Sequence, residues 1–179
     1  TVYCVDKDQK KIDLLNKGTV PIYEPGLEEI LKKNFKQKRL IFTSDLNKAV
    51  TNSDIIFICV GTPTKKNTNS ANLKHVFSVV KDLKKIIKKY KIIITKSTVP
   101  VSTGDEIEKI LINLKKKKLV DIVSNPEFLR EGEAIRDFIY PDRIIIGTDS
   151  KKANKILKSL YLPIIKKTNR YFNLSLIHI

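Results

Sequence analysis

Only two cysteines, Cys4 and Cys59, occur in the 179 residues. That is too few for a disulfide framework, and their placement matches no metal-ligand spacing. Both stand inside apolar runs, so both are expected in the core as small hydrophobes. No apolar run approaches the roughly 18 residues that would cross a bilayer. The N-terminal T-V-Y-C-V-D has neither the basic flank nor the cleavage site of a signal peptide. The expectation is a soluble, cytoplasmic protein with no membrane partner. Arginine is scarce: the formal charge of +16 comes mostly from lysines on helical faces, such as Lys84, Lys85, Lys88 and Lys89, without interleaved aromatics. Arginine is the side chain favoured for reading bases, so the excess predicts diffuse attraction to anions and no specific nucleic acid partner. There is no internal repeat and no disordered linker. A hydrophobic content of 41% supports one domain with a core of its own.

The apolar stretches that are present alternate between two periods. Val2 to Val5, Leu40 to Thr43, Asp54 to Val60, Ile92 to Thr95, Leu119 to Val123 and Ile144 to Gly147 read as strands. Asp54 to Val60 is apolar at nearly every position, as in a strand covered on both faces. Helical spacing separates these runs. One helix capped by Asp8 carries Ile12 and Leu15 and closes at Gly18, and a second starts at Pro25 with Leu27, Ile30 and Leu31 as its buried stripe. Ser44 and Asp45 cap a brief helix through Val50. A longer helix carries Leu73, Val76, Phe77, Val80, Leu83 and Ile87. Thr103 and Glu106 suggest a capping box for a helix with Ile107, Ile110, Leu111 and Leu114 inward. A helix near Glu131 to Phe138 and one with Ala153, Ile156, Leu157 and Leu160 on one face complete the pattern. Such alternation predicts an α/β fold, a mostly parallel sheet wrapped on both faces.

Four polar segments follow strands directly: Asp6, Gly61 to Thr64, Lys96 to Val99, and Asn125 to Glu131. In a parallel sheet the strand ends share one rim, where open α/β sheets bind ligands. An acid such as Asp6 ending a strand of a dinucleotide fold is placed to accept ribose hydroxyls; it would also serve as a second helix cap beside Asp8. Gly61 lets backbone approach a ligand closely. The hydroxyls of Ser97 and Thr98 can position a water or a carboxamide, or simply make the turn before Pro100. Glu127 and Glu131, four apart in V-S-N-P-E-F-L-R-E-G, can point at one pocket, and each also suits a helix N-terminus.

Taken with their spacing, V-Y-C-V-D, L-N-K-G-T-V-P-I-Y-E-P-G-L, I-C-V-G-T-P-T, K-S-T-V-P-V, S-N-P-E-F-L-R-E-G and P-D-R-I-I-I-G resemble the UDP-glucose/GDP-mannose dehydrogenase family, in family order from Val2 to about Pro163. The resemblance implies a Rossmann-like doubly wound domain over residues 1–163, with 164–179 a divergent tail. It implies NAD as cofactor and a sugar nucleotide as substrate, UDP-glucose above GDP-mannose or UDP-N-acetylhexosamines. The family oxidises the C6 alcohol to a carboxylate with two NAD through a cysteine thioester. Carried over by residue, Asp6 and Lys11 contact the adenosine half, and Val60, Gly61, Thr62, Pro63 and Thr64 line the cofactor. Ser97, Thr98 and Val99 lie near the nicotinamide. Thr98 holds a catalytic water, Glu127 assists acid-base chemistry and touches substrate, and Phe128, Leu129, Arg130 and Glu131 hold the sugar nucleotide, Glu131 also reaching NAD. A homodimer is expected of the full-length family, and no metal is implied.

Two family features have no counterpart in this sequence. The first strand and its Gly-rich turn, which cradles the pyrophosphate, are missing, so the sheet is expected to lack a strand between Val2 to Val5 and Asp54 to Val60. The loop bearing the nucleophilic cysteine is also missing, Cys4 and Cys59 being mid-strand and His178 incidental. The expectation is a fragment, inactive alone; a non-catalytic nucleotide-binding module is the alternative.

Overall fold

In a computed structural model that describes residues 1–65 and 70–176, the elements in chain order are β1 (Val2–Val5), α1 (Gln9–Asn16), α2 (Leu27–Lys36), β2 (Leu40–Thr43), α3 (Leu46–Thr51), β3 (Ile55–Ile58) and α4 (Lys74–Ile86). They continue as β4 (Lys91–Thr95), α5 (Thr103–Lys116), β5 (Val120–Ser124), α6 (Ala134–Ile139), β6 (Ile144–Gly147), α7 (Lys151–Thr168) and β7 (Tyr171–Leu174). His178 lies outside the described residues. The chain divides into two units, Thr1–Ser53 with Phe128–Tyr140, and Asp54–Glu127 with Pro141–Ile179.

In the first unit β1 and β2 pair in parallel, Val2 opposite Leu40 and Val5 opposite Thr43. Asp8 caps α1 by accepting from the Lys10 and Lys11 N–H groups, and Asp45 caps α3 through the Lys48 N–H. Gly26, at φ 80°, is the N-cap of α2, so this helix begins just after Pro25. Its first turn carries Glu28 and Glu29 and its last Lys33 and Lys36, which suits the helix dipole. Ile12, Leu31 and Phe42 form the core of this unit, with Phe35 stacked on Phe42 at 6.0 Å between ring centroids. Leu31 therefore defines the inward face of α2, and Ile30, expected beside it, is exposed.

In the second unit the strand order is β3-β4-β5-β6-β7. β3, β4 and β5 run parallel, β6 meets β5 antiparallel with Ser124 opposite Gly147, and β7 returns parallel to β6. The mostly parallel sheet is thus present with two differences: one antiparallel step, and a break in the ladder. Among the described residues β1 pairs only with β2 and β3 only with β4, so the strands fall into two sheets. Alternation along β4 sends Ile92 and Ile94 to the face covered by Ala153, Leu157 and Tyr161 of α7. Ile93 and Thr95 turn to the opposite face, where Val76, Val80 and Leu83 of α4 and Ile107 and Leu111 of α5 are buried. Helices on both faces explain why β4 is buried along its whole length.

Several local expectations are corrected. β3 ends at Ile58. Cys59, expected in the core, is exposed because it lies beyond the last ladder residue, and Cys4 is half-buried. No capping box opens α5: its N-cap is Ser102 in the left-handed region, and Thr103 Oγ1 instead donates to the Pro100 carbonyl at 2.8 Å. The helix expected near Glu131 starts only at Ala134, because Gly132 at φ 81° holds residues 131–133 in a turn. On α7, Tyr161 is buried where Leu160 was expected. β7 was not anticipated; its four residues fall where no family motif was read, and it is a mostly exposed strand paired with β6.

The inward face of α7 can be checked directly. Leu157→Ala should lower stability by about 2–5 kcal/mol in urea unfolding, whereas Leu160→Ala should change it by less than about 0.5 kcal/mol.

Candidate functional site

The carboxyl ends of β3, β4 and β5 carry three of the predicted segments on one rim of the second unit. Two side chains join the first two. Ser97 Oγ lies 2.7 Å from the Val60 carbonyl and 3.2 Å from that of Ile58, and Thr62 Oγ1 donates to the Thr98 carbonyl at 2.9 Å. The Lys96 N–H also donates to Ile58 O at 2.9 Å, extending the ladder one step past the strand. The Ser97 hydroxyl proton is therefore engaged with backbone, which leaves Thr98, exposed beside it, as the hydroxyl turned toward solvent. Beyond the clasp, the Asn72 N–H donates to Pro63 O at 2.8 Å and Thr64 bridges to Ala71. A Cβ built on Gly61 would meet nothing within 4 Å, so its backbone stands open.

The third segment is anchored from below. Asn125 is buried, its N–H donates to Thr95 O at 2.9 Å, and its Nδ2 donates to Ile145 O at 2.9 Å. Its Oδ1 accepts from the Tyr161 hydroxyl at 2.6 Å, and burial first, then the neighbouring Cys59 and Tyr171, push that phenol up to about 12. With Asn125 fixed, Glu127 leaves the sheet two residues further on, half-buried.

Register places Cys59 next to Lys96, and Lys96 next to Asn125, on the face that α7 covers. Electrostatics agree with that proximity. Burial pulls the Lys96 ammonium down, while Cys59 and Glu127 pull it back up. Burial pushes the Cys59 thiol up, countered by Lys96 and reinforced by Glu127. By surface area the residue is exposed. A lysine, a thiol and a carboxylate thus sit within electrostatic reach on one rim. Sequence reading placed Glu127 here and counted Lys96 in a rim segment without giving it a role of its own.

In the first unit Asp6 follows β1. Lys11 Nζ donates to its Oδ2 at 2.7 Å and the Asp8 N–H to its Oδ1 at 3.1 Å. Asp8, and not Asp6, is the cap of α1. Lys11 first, then the Asp8 N–H, hold the Asp6 carboxyl below the usual carboxylate range. It is an anion with further lone pairs free for donors such as ribose hydroxyls. The Phe128–Glu131 segment belongs to this unit as well, with Phe128 and Leu129 exposed. Arg130 is not loose: its Nη2 and Nε donate to the two Asp137 oxygens at 2.7 and 3.0 Å, and its N–H donates to Asp137 at 3.0 Å. Glu131 is exposed at the start of the turn. Among the described residues no group of three or more His, Cys, Asp or Glu could hold a metal, and no helix is long and apolar enough to cross a membrane.

A dinucleotide is a fair test of these features taken singly. An ionised acid directly after a strand and an unencumbered glycine backbone beyond another are what a ribose and a close-lying cofactor require. The residues present fit one.

Comparison with known proteins bears on the same residues. The model of the UDP-glucose/GDP-mannose dehydrogenase family, NAD binding domain, matches residues 1–165. The chain is 46% identical over 165 residues to UDP-glucose 6-dehydrogenase of Rhizobium meliloti, covering 91% of this chain and 38% of that protein. It is 45% identical over 172 residues to UDP-glucose 6-dehydrogenase TuaD of Bacillus subtilis, covering 94% and 37%. Among solved structures it superposes on a ternary complex of GDP-mannose dehydrogenase from Pseudomonas aeruginosa with a TM-score of 0.90 and 33% identity, covering 99% of this chain and 41% of that one. The chain therefore spans less than two fifths of the length of these two curated relatives.

The Arg130 contact sets a pH dependence. Hydrogen bonds from the Arg130 side chain and backbone lower the Asp137 carboxyl from 3.8 to about 2. Its contribution is complete above the ordinary value of 3.8 and is lost as pH falls through about 2. Carbon-detected NMR of Asp137 should show a midpoint near 2 that rises toward 3.8 in Arg130→Met. Separately, Tyr161→Phe leaves Asn125 Oδ1 without its phenol donor. It should cost about 1–3 kcal/mol by chemical denaturation, more than an ordinary surface change.

Proposed function

The chain belongs to the UDP-glucose/GDP-mannose dehydrogenase family, whose NAD-binding domain it carries, and from that premise we propose that it is the cofactor-binding part of an NAD-dependent enzyme that oxidises UDP-glucose to UDP-glucuronate. Residues 1–163 would form that domain and 164–179 a divergent tail, in a cytoplasmic protein. The observation that carries the proposal is the clasp of Ser97 and Thr62, which holds the Val60–Thr64 and Ser97–Val99 turns side by side at the carboxyl rim. Relatives at 46% and 45% identity are named for UDP-glucose, which favours the glucose reading.

In this reading the Asp6 carboxylate accepts the adenosine ribose hydroxyls, and Lys11, already paired with it, adds positive charge on the same side. The exposed backbone from Val60 to Thr64 lines the cofactor, and Ser97, Thr98 and Val99 flank its nicotinamide end. When bound, NAD supplies the acceptor for hydride leaving the sugar carbon. The chain's own residues orient and move protons: Thr98 offers a hydroxyl to a water, and the Glu127 carboxylate is the group able to take a proton from it. Lys96 adds a cation within reach of Glu127. Phe128 and Leu129 offer apolar surface and Arg130 a cation to the sugar nucleotide, with Glu131 turned to the cofactor.

The reading is tested by titrating the chain with NADH, followed by fluorescence, and with UDP-glucose, followed by calorimetry. Saturable binding of both is expected, with Asp6→Ala weakening NADH by about tenfold through loss of a charged acceptor. Absence of saturable binding overturns it. Steady NADH production by this chain alone would overturn its assignment as a binding part without a nucleophile.

A further inference from the structure

The Phe128–Glu131 segment lies outside the named strands, and its Phe128 and Leu129 side chains are exposed. Carboxylates bind its backbone and the turn that follows. Of three alternate backbone amides, the Arg130 N–H donates to Asp137 at 3.0 Å, the Gly132 N–H to Glu24 Oε2 at 2.9 Å and the Ala134 N–H to Glu24 Oε1 at 2.8 Å. Asp137 is a local partner. Glu24 reaches across more than a hundred residues of sequence and uses both of its oxygens on this one turn.

The turn that carries Glu24 is itself rigid. Pro25 follows it, and Gly26 sits at φ 80°, where a side chain would be strained. A Cβ at Gly26 would also lie 3.7 Å from Ile135 Cδ1, so the same turn runs close to α6. Gly132, at φ 81°, is the matching special position on the other side. A carboxylate between two backbone donors forms charge-assisted bonds that an apolar residue cannot replace.

We propose that Glu24 is a positioning residue for the sugar-nucleotide segment: its carboxylate sets where Phe128, Leu129 and Arg130 stand, and so governs affinity for the sugar nucleotide without touching it. The assignment of that segment to the sugar nucleotide rests on the function proposed above. The hold on the loop rests on the geometry alone.

The test compares Glu24→Ala and Glu24→Gln with the unaltered chain, by residue-resolved amide exchange and by calorimetric titration with UDP-glucose. In Glu24→Ala the Gly132 and Ala134 amides should exchange at least about tenfold faster, while those of Leu31 and Phe42 in the core of the same unit keep their rates and report an intact fold. UDP-glucose affinity should fall by about tenfold. Glu24→Gln keeps one carbonyl oxygen and should restore part of both effects, which a general loss of stability would not do. Unchanged exchange at Gly132 and Ala134 overturns the proposal, as does faster exchange with undiminished affinity. Should the unaltered chain fail to bind UDP-glucose, the functional reading fails by itself, and the exchange rates alone decide whether Glu24 holds the segment.

Discussion

Asn125 is the residue on which the candidate site depends. A buried amide must have its polar atoms paired, and this one meets the requirement with three partners on three different elements: Thr95 of β4, Ile145 of β6 and Tyr161 of α7. Because Asn125 directly follows β5, these bonds fix the point at which the chain leaves the sheet. Pro126 then turns it, and Glu127 emerges at a set place on the rim. A fully satisfied polar group inside an apolar core is rigid as well as specific. The apolar cluster of Ile94, Val123, Ile146 and Leu157 beneath it supplies the packing, and Asn125 supplies the direction.

The same division of labour recurs at the neighbouring strand ends. The strands place Val60 and Ser97 close to one another only approximately; Ser97 and Thr62 then bind the two turns to each other's carbonyls. Hydroxyls that a sequence reading assigns to a ligand are thus divided, Ser97 to the framework and Thr98 to the open side. In the first unit, carboxylates do the corresponding work. Lys11 and the Asp8 N–H keep Asp6 ionised and in place, Asp137 immobilises Arg130, and Glu24 fixes the turn that follows it.

Much of the fold was legible in the chain because strand and helix periods are local. β4, with five consecutive buried positions, and α4, with Val76, Val80 and Leu83 on one side, are written in spacings of two and of three to four. Asp8 and Asp45 were legible as caps for the same reason, since a cap bonds to amides two or three residues away. The failures were also local signals that tertiary contacts overrode. Thr103 turned to the Pro100 carbonyl instead of capping, Leu160 ceded the inward face to Tyr161, and Cys59 fell just outside a strand that ended sooner than its apolar run. Hydrophobicity marks a residue as able to be buried; only a covering element makes it so.

By itself the sequence determined the order of elements, the α/β class and the strand-end motifs from Asp6 to Glu131, because turn chemistry and periodicity act over a few residues. The ordered set of words identified the family. Tertiary structure alone decided the antiparallel step between β5 and β6, the gathering of Cys59, Lys96 and Glu127 on one rim, and the grip of Glu24 on Gly132 and Ala134. Those are pairings between residues far apart in the chain. Nothing in the local preference of either partner encodes them, and they exist only once the packed strands and helices have brought their atoms within bonding distance.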